Sequence, residues 1–220
     1  MLYEEIRTAV CETARKMSRD GLVRLTSGNV SARIPGTDLF CITPSGMDYA
    51  TLTPEDITVC RLDGTNNIEG KRRPSTETPM HRMTYNRRPD VNAVVHTHSP
   101  YASAFAINGM DLPIACTELA ALAGGDIKCA PYAKATTEEF AETALATLGD
   151  EGIGVLLQNH GVMVTGPDLG MAYAIAIAVE EAAQIYVLAK SIGQPIHMPI
   201  AEQKRMFAEF RAGYGQPKSL

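Results

Sequence analysis

Two histidines at i and i+2, His96 and His98, close the apolar run Val94-Val95-His96-Thr97-His98-Ser99-Pro100. Successive side chains of a strand alternate between faces, so an extended backbone here sends both imidazoles out of one face. Converging imidazole nitrogens bind divalent transition metals, but a His-x-His pair by itself says little. Its company says more: Glu77 follows Ser75-Thr76, and His160 sits in Gln158-Asn159-His160-Gly161. Three imidazoles and one carboxylate have the ligand types and number that suit a zinc-like ion.

A second chemistry is written in small polar turns. Gly28-Asn29 is read in two ways, as a simple turn or as a close backbone approach at Gly28 with the Asn29 amide donating to an anionic ligand. Ser75 and Thr76 precede a helix, whose free amide hydrogens and positive dipole end can receive a phosphate. Ordinary capping would use one of these hydroxyl residues and leave the other. His81, four residues after Glu77 on that helix, is read as a packing or hydrogen-bonding residue.

The elements that must position these groups follow from periodicity and punctuation. Leu2, Ile6, Val10, Ala14 and Met17 predict an opening helix stopped by Gly21. Strands are expected through Arg33, at Phe40–Thr43, Val59–Leu62, Val91–His98, Ile114–Cys116, Ile127–Ala130, Gly154–Gln158 and Val162–Thr165. Helices are expected from Thr53-Pro54-Glu55-Asp56, up to about Asn86, from Ser99-Pro100 to Ile107, over Thr117–Ala123, from a capping box at Thr136-Thr137-Glu138-Glu139 to Leu148, and from Pro167-Asp168 to about Ser191. Several strand pairs are close enough for hairpins, so the fold class is α/β with a mainly antiparallel central sheet flanked by helices.

Composition narrows the function classes. At 220 residues the chain suits one domain, residues 1–220, with a core of about 2–192 and a tail from 193 to 220. A net charge of -5 offers no basic surface for nucleic acid. Five dispersed cysteines without Cys-x-x-Cys give neither a disulfide framework nor a thiolate zinc site. No signal peptide is read at the N-terminus, and the apolar run Met171–Val179 is too short to span a bilayer, so a cytoplasmic protein without a membrane partner is expected. The absence of G-x-G-x-x-G after a strand removes a dinucleotide site.

In their order, Thr26-Ser27-Gly28-Asn29-Val30-Ser31, Ile42-Thr43-Pro44-Ser45-Gly46, Ser75-Thr76-Glu77, His96-Thr97-His98 and Gln158-Asn159-His160-Gly161 resemble the class II aldolase family, the fuculose-1-phosphate aldolase and ribulose-5-phosphate 4-epimerase type. The resemblance implies a three-layer domain and one Zn2+ per subunit held by His96, His98 and His160, with Glu77 as acid/base. It also implies phosphate contacts at Gly28, Asn29, Ser45, Gly46, Ser75 and Thr76, and a homotetramer with active sites at subunit boundaries. The expected reaction cleaves a ketose 1-phosphate, fuculose-like or a deoxy or modified pentulose, through an enediolate into dihydroxyacetone phosphate and an aldehyde. Epimerisation, decarboxylation or dehydration of a related sugar phosphate would use the same metal chemistry, and a non-catalytic scaffold like the adducin head would not need the histidines.

One position departs from the pattern. Where fuculose-phosphate aldolases carry a tyrosine before Ala-Ala-x-Gly-Gly, this chain has Thr117, with Glu118 beside it. A threonine hydroxyl is a poor acid at neutral pH. Glu118 or Tyr214 then serves as the second acid, or the substrate differs; Glu118 also reads as an ordinary acid at a helix start.

Overall fold

The computed structural model describes residues 1–65 and 67–213. One mixed seven-stranded sheet runs in the order β3-β2-β1-β4-β7-β6-β5. Its strands are β1 (Asn29–Arg33), β2 (Leu39–Ile42), β3 (Thr58–Arg61), β4 (Ala93–Thr97), β5 (Lys128–Ala130), β6 (Gly154–Leu157) and β7 (Gly161–Gly166). Only the β5–β6 pair is parallel; the other neighbours are antiparallel, and among them β1–β2 and β6–β7 are joined by short connections that suit this pairing.

Strand alternation sorts the core into two layers. Val95 of β4, Cys41 of β2, and Val162 and Val164 of β7 face the helices α1 (Glu4–Arg19), α3 (Pro100–Ile107), α4 (Thr117–Ala123) and α6 (Leu169–Ile192). Val94, Phe40, Ile42 and Met163 point the other way, to Met80 and Tyr85 of α2 (Thr78–Arg87) and to Phe140 and Leu145 of α5 (Glu138–Leu148). Each fully buried Val, Ile or Phe here stabilises the fold by about 1.5–3 kcal/mol. His96 has the parity of Val94, so it emerges on the side of α2 and α5.

Several expectations change in the structure. Asp56 Oδ2 accepts from the Thr53 N–H and hydroxyl, but the helix expected here is a three-residue 3-10 turn, Pro54–Asp56, because Ile57 and Thr58 pass at once into β3. Ile114–Cys116 forms no strand. The Ile114 N–H donates to Asp126 Oδ1, and its carbonyl accepts from the Met198 N–H, so a side chain and the tail take the place of a ladder. The turn after β3 returns through one isolated bridge, Val59 to Glu69. Thr137 alone caps α5, accepting from the Phe140 N–H at 3.2 Å. β4 ends at Thr97, leaving His98 one residue past the strand.

The length and hydropathy of α6 would suffice to cross a membrane, which the shorter run Met171–Val179 did not suggest. It is a core helix here: Ile175, Ala176, Val179 and Ala183 are buried against the sheet. Its Glu180 carboxylate accepts from the Tyr101 and Ala102 N–H groups at 2.9 and 2.8 Å, capping α3 from outside where Ser99 makes no side-chain cap. The tail contributes α7 (Ile200–Gly213), packed on α4. All five cysteines are free, with Cys11, Cys41 and Cys60 buried.

Candidate active site

Sheet register brings the chemistry together. Asn29 on β1 is paired with His96 on β4, and His96 in turn with Met163 on β7, so the turn before β7 lies beside the end of β4. That turn carries His160. Asn159 holds φ at 59°, a left-handed conformation that asparagine tolerates better than most residues, and this reversal aims the His160 ring back over the sheet. Gly161 follows because a Cβ there would run into the Thr97 carbonyl oxygen. Phe140 of α5 supports His160 edge-on, with ring centroids 5.1 Å apart.

The Nε2 atoms of His98 and His160 lie 3.0 and 3.1 Å from Nε2 of His96. Tetrahedral zinc holds nitrogens at about 2.0–2.1 Å, which sets them about 3.3 Å apart, so the spacings of His98 and His160 from His96 are close to those such an ion imposes. Tautomer chemistry agrees. His96 Nδ1–H donates to the Val162 carbonyl at 2.9 Å, which leaves a lone pair on Nε2 directed at the cluster. Burial pushes His96 below its ordinary value, and pushes His98 down to about 4 with the neighbouring His96 and His160 adding to the effect. Imidazole nitrogens converging beside a carboxylate suit a positive charge between them. Among the described residues His96, His98 and His160 form the one cluster that could hold a metal ion.

Glu77 is the N-cap of α2 and is buried. Its Oε1 lies 2.8 Å from His160 Nε2, and its Oε2 3.2 Å from His96 Nε2 and 2.6 Å from the Asn29 amide nitrogen, which donates to it. Burial works against the carboxylate, but His96, His160 and Asn29 outweigh it and hold the group well below its usual range. Glu77 is therefore ionised at neutral pH.

In front of these groups opens a cavity of about 200 Å³. Its walls include Gly28, Asn29, Ser45, Gly46, Ser75 and Thr76, together with Glu77, His98 and His160. Three loops make this wall. The Ser75 N–H donates to the Thr43 carbonyl at 3.0 Å and the Ser45 N–H to the Arg73 carbonyl at 3.0 Å, tying the segments after β2 and before α2 together. Gly28 has φ at 74°, and a Cβ there would lie 2.7 Å from the His96 carbonyl oxygen, so the loop can approach β4 only without a side chain. None of the described lining residues is Lys or Arg. An anion here would be received by hydroxyls, backbone amides and the N-terminal end of α2.

Some sequence expectations fall elsewhere. The Asn29 amide, read as a donor to an anionic ligand, donates to Glu77, and its Oδ1 meets His81 Nε2 at 2.5 Å. Glu118 is exposed, accepts from the Thr117 hydroxyl at 3.0 Å, and does not line the cavity of its own chain. Tyr214 lies outside the described residues. Ala135, and Thr136, which the sequence places in a helix cap and not in a site, line the cavity, and Thr136 has φ at 70°. Neither has a side chain whose chemistry announces a site.

Comparison with known proteins places this geometry. The model of the class II aldolase and adducin N-terminal domain family matches residues 8–187. The chain is 41% identical over 216 residues to a 5-deoxy-D-ribulose 1-phosphate aldolase of Bacillus thuringiensis serovar kurstaki, covering 98% of this chain and 100% of that one. It is 35% identical over 215 residues to a 5-methylthioribulose-1-phosphate/5-deoxyribulose-1-phosphate aldolase of Rhodospirillum rubrum, covering 98% and 95%. A solved L-fuculose 1-phosphate aldolase superposes with a TM-score of 0.91 at 34% identity, over 96% of this chain and 98% of that one. With its sheet, its histidine cluster and its near full-length relatives in agreement, the chain belongs to the class II aldolase and adducin N-terminal domain family.

Proposed function

We propose that this protein is a zinc-dependent aldolase that cleaves a ketose 1-phosphate into dihydroxyacetone phosphate and a short aldehyde, with a 5-deoxypentulose 1-phosphate as its substrate. The observation that carries the reading is the buried Glu77 carboxylate set against three converging imidazoles at the mouth of a hydroxyl-lined cavity. The substrate choice is supported by the two relatives named for 5-deoxyribulose 1-phosphate.

In this reading His96, His98 and His160 hold the zinc ion, which when bound supplies a Lewis acid that polarises the ketose carbonyl. Gly28, Ser45, Gly46, Ser75 and Thr76 seat the phosphate through amides and hydroxyls and so fix the sugar's orientation, which can contribute several kcal/mol to the lowered barrier. The electron pair of the broken C3–C4 bond passes to the enediolate as the hydroxyl proton on C4 leaves. Glu77, ionised at rest, takes up a proton from solvent at the open cavity and delivers it to C3, giving dihydroxyacetone phosphate; in the synthetic direction it removes that proton and returns it to solvent.

The acceptor of the C4 hydroxyl proton is assigned to Glu118 or Tyr214 of a neighbouring subunit in a homotetramer. Glu118 suits this assignment because it is exposed at the start of α4 and is not part of its own cavity wall. Assembly is supported by exposed Ile185, Leu188 and Ile192, which at spacings of three and four share one face of α6.

The test incubates zinc-loaded protein with a panel of ketose 1-phosphates and couples product to a dihydroxyacetone phosphate assay. Release of dihydroxyacetone phosphate, fastest from 5-deoxyribulose 1-phosphate, is expected. Formation of an epimerised pentulose phosphate or of carbon dioxide instead would overturn the aldolase reading.

A further inference from the structure

Behind Glu77 runs a file of buried polar groups that the proposed chemistry does not use. Tyr85 Oη lies 2.6 Å from Ser31 Oγ, Ser31 Oγ 2.6 Å from His81 Nδ1, and His81 Nε2 2.5 Å from Asn29 Oδ1. The Asn29 amide nitrogen then lies 2.6 Å from Glu77 Oε2. Ser31, Tyr85 and His81 are almost completely buried and Asn29 nearly so, leaving no solvent to exchange for these partners.

The chemistry of the donors gives the file a direction. The Asn29 amide must turn its N–H to the Glu77 carboxylate, since the reverse would press two acceptors together. Its Oδ1 can only accept, so His81 Nε2 carries the hydrogen. A neutral imidazole has one N–H, and burial pushes His81 down to about 3, so Nδ1 accepts from the Ser31 hydroxyl. Ser31 has then spent its only hydrogen, and the Tyr85 hydroxyl donates to it. Every hydrogen in the file points toward Glu77.

We infer that His81 is a positioning residue for Glu77, holding the Asn29 side chain in the one orientation that donates to Oε2. Asn29 thereby serves the carboxylate with its side chain, leaving phosphate contact in this loop to Gly28 and the backbone. Glu77 is left with one oxygen, Oε1, free of the amide and turned toward His160 and the cavity. Loss of such a supporting hydrogen bond behind a metal site typically costs 10–100-fold in activity.

The inference rests on Glu77 being the acid/base, and the experiment separates the two. The measured quantity is exchange of one carbon-bound hydrogen of dihydroxyacetone phosphate with deuterium oxide, catalysed by the zinc-loaded protein. His81→Leu should lower the exchange rate at least tenfold while KM and zinc content hold, and His81→Gln, which keeps an N–H near the Nε2 position, should restore most of it. The combination of His81→Leu with Asn29→Ala should lose no more than Asn29→Ala alone, because the two act in series. Where His81→Leu does not fold, Ser31→Ala, which removes one oxygen, replaces it in the same cycle. Losses that multiply in the double variant, or His81→Gln as slow as His81→Leu, would overturn the role of His81. Absence of exchange in the unaltered protein would instead remove Glu77 as the base, and the inference with it.

Discussion

At the scale of single residues, burial disfavours the charged forms of His81, His96 and His98. His81 shows the consequence for stability most cleanly, because it is fully buried and its folded pKa is pushed from 6.5 down to about 3. Between those values the unfolded chain binds the proton and the folded chain does not. The contribution of His81 is thus fully present above about pH 6.5 and is lost as pH falls toward 3, amounting to several kcal/mol. Urea unfolding across that range should show stability falling with acid, and His81→Gln should remove part of the slope; an unchanged slope would show that His81 is not buried neutral. Most of the candidate residues were legible in the sequence because a histidine pair, a second histidine turn and a Ser-Thr-Glu turn carry distinctive chemistry. The partners of Asn29 were not, since a sequence holds no sign of which acceptor an amide will find across 48 residues.

At the scale of elements, strands and helices with strong periodicity or end signals were readable, α3 among them, whereas those settled by tertiary partners were not. Thr53–Asp56 has a helix start, but the apolar residues behind it are drawn into β3. Ile114–Cys116 has strand composition, but no neighbouring strand reaches it, and Asp126 and Met198 complete its hydrogen bonds. The junction of β6 and β7 shows why the site depends on element geometry. His160 is aimed by Asn159 and by the contact of Gly161 with the end of β4. Gly161→Ala would force the turn away from the Thr97 carbonyl, at a cost of about 1–3 kcal/mol. We expect a lower melting temperature together with weaker zinc retention on dialysis; full retention would mean that the turn does not set the position of His160.

At the scale of the whole molecule, the sheet works as a spacing device. β1, β4 and β7 are adjacent in the sheet though distant in the chain, and this adjacency lays Asn29, His96 and His160 side by side while α2 delivers Glu77 from the outer layer. The antiparallel character of the sheet was readable from its short connections, but the parallel β5–β6 pair and the capping of α3 by Glu180 depend on long-range packing. The apolar face of α6 and the absence of Glu118 from its own cavity wall belong to the same scale. Sedimentation equilibrium should give four times the 23.7 kDa chain mass, and a monomer would rule out a second acid from a neighbouring subunit. The claim on which all else stands is that His96, His98 and His160 together hold a metal ion. Elemental analysis of the purified protein should find one zinc per chain, and the His96→Ala and His160→Ala variants, folded by circular dichroism, should each lose it. Zinc retained at one per chain in both variants would contradict the account.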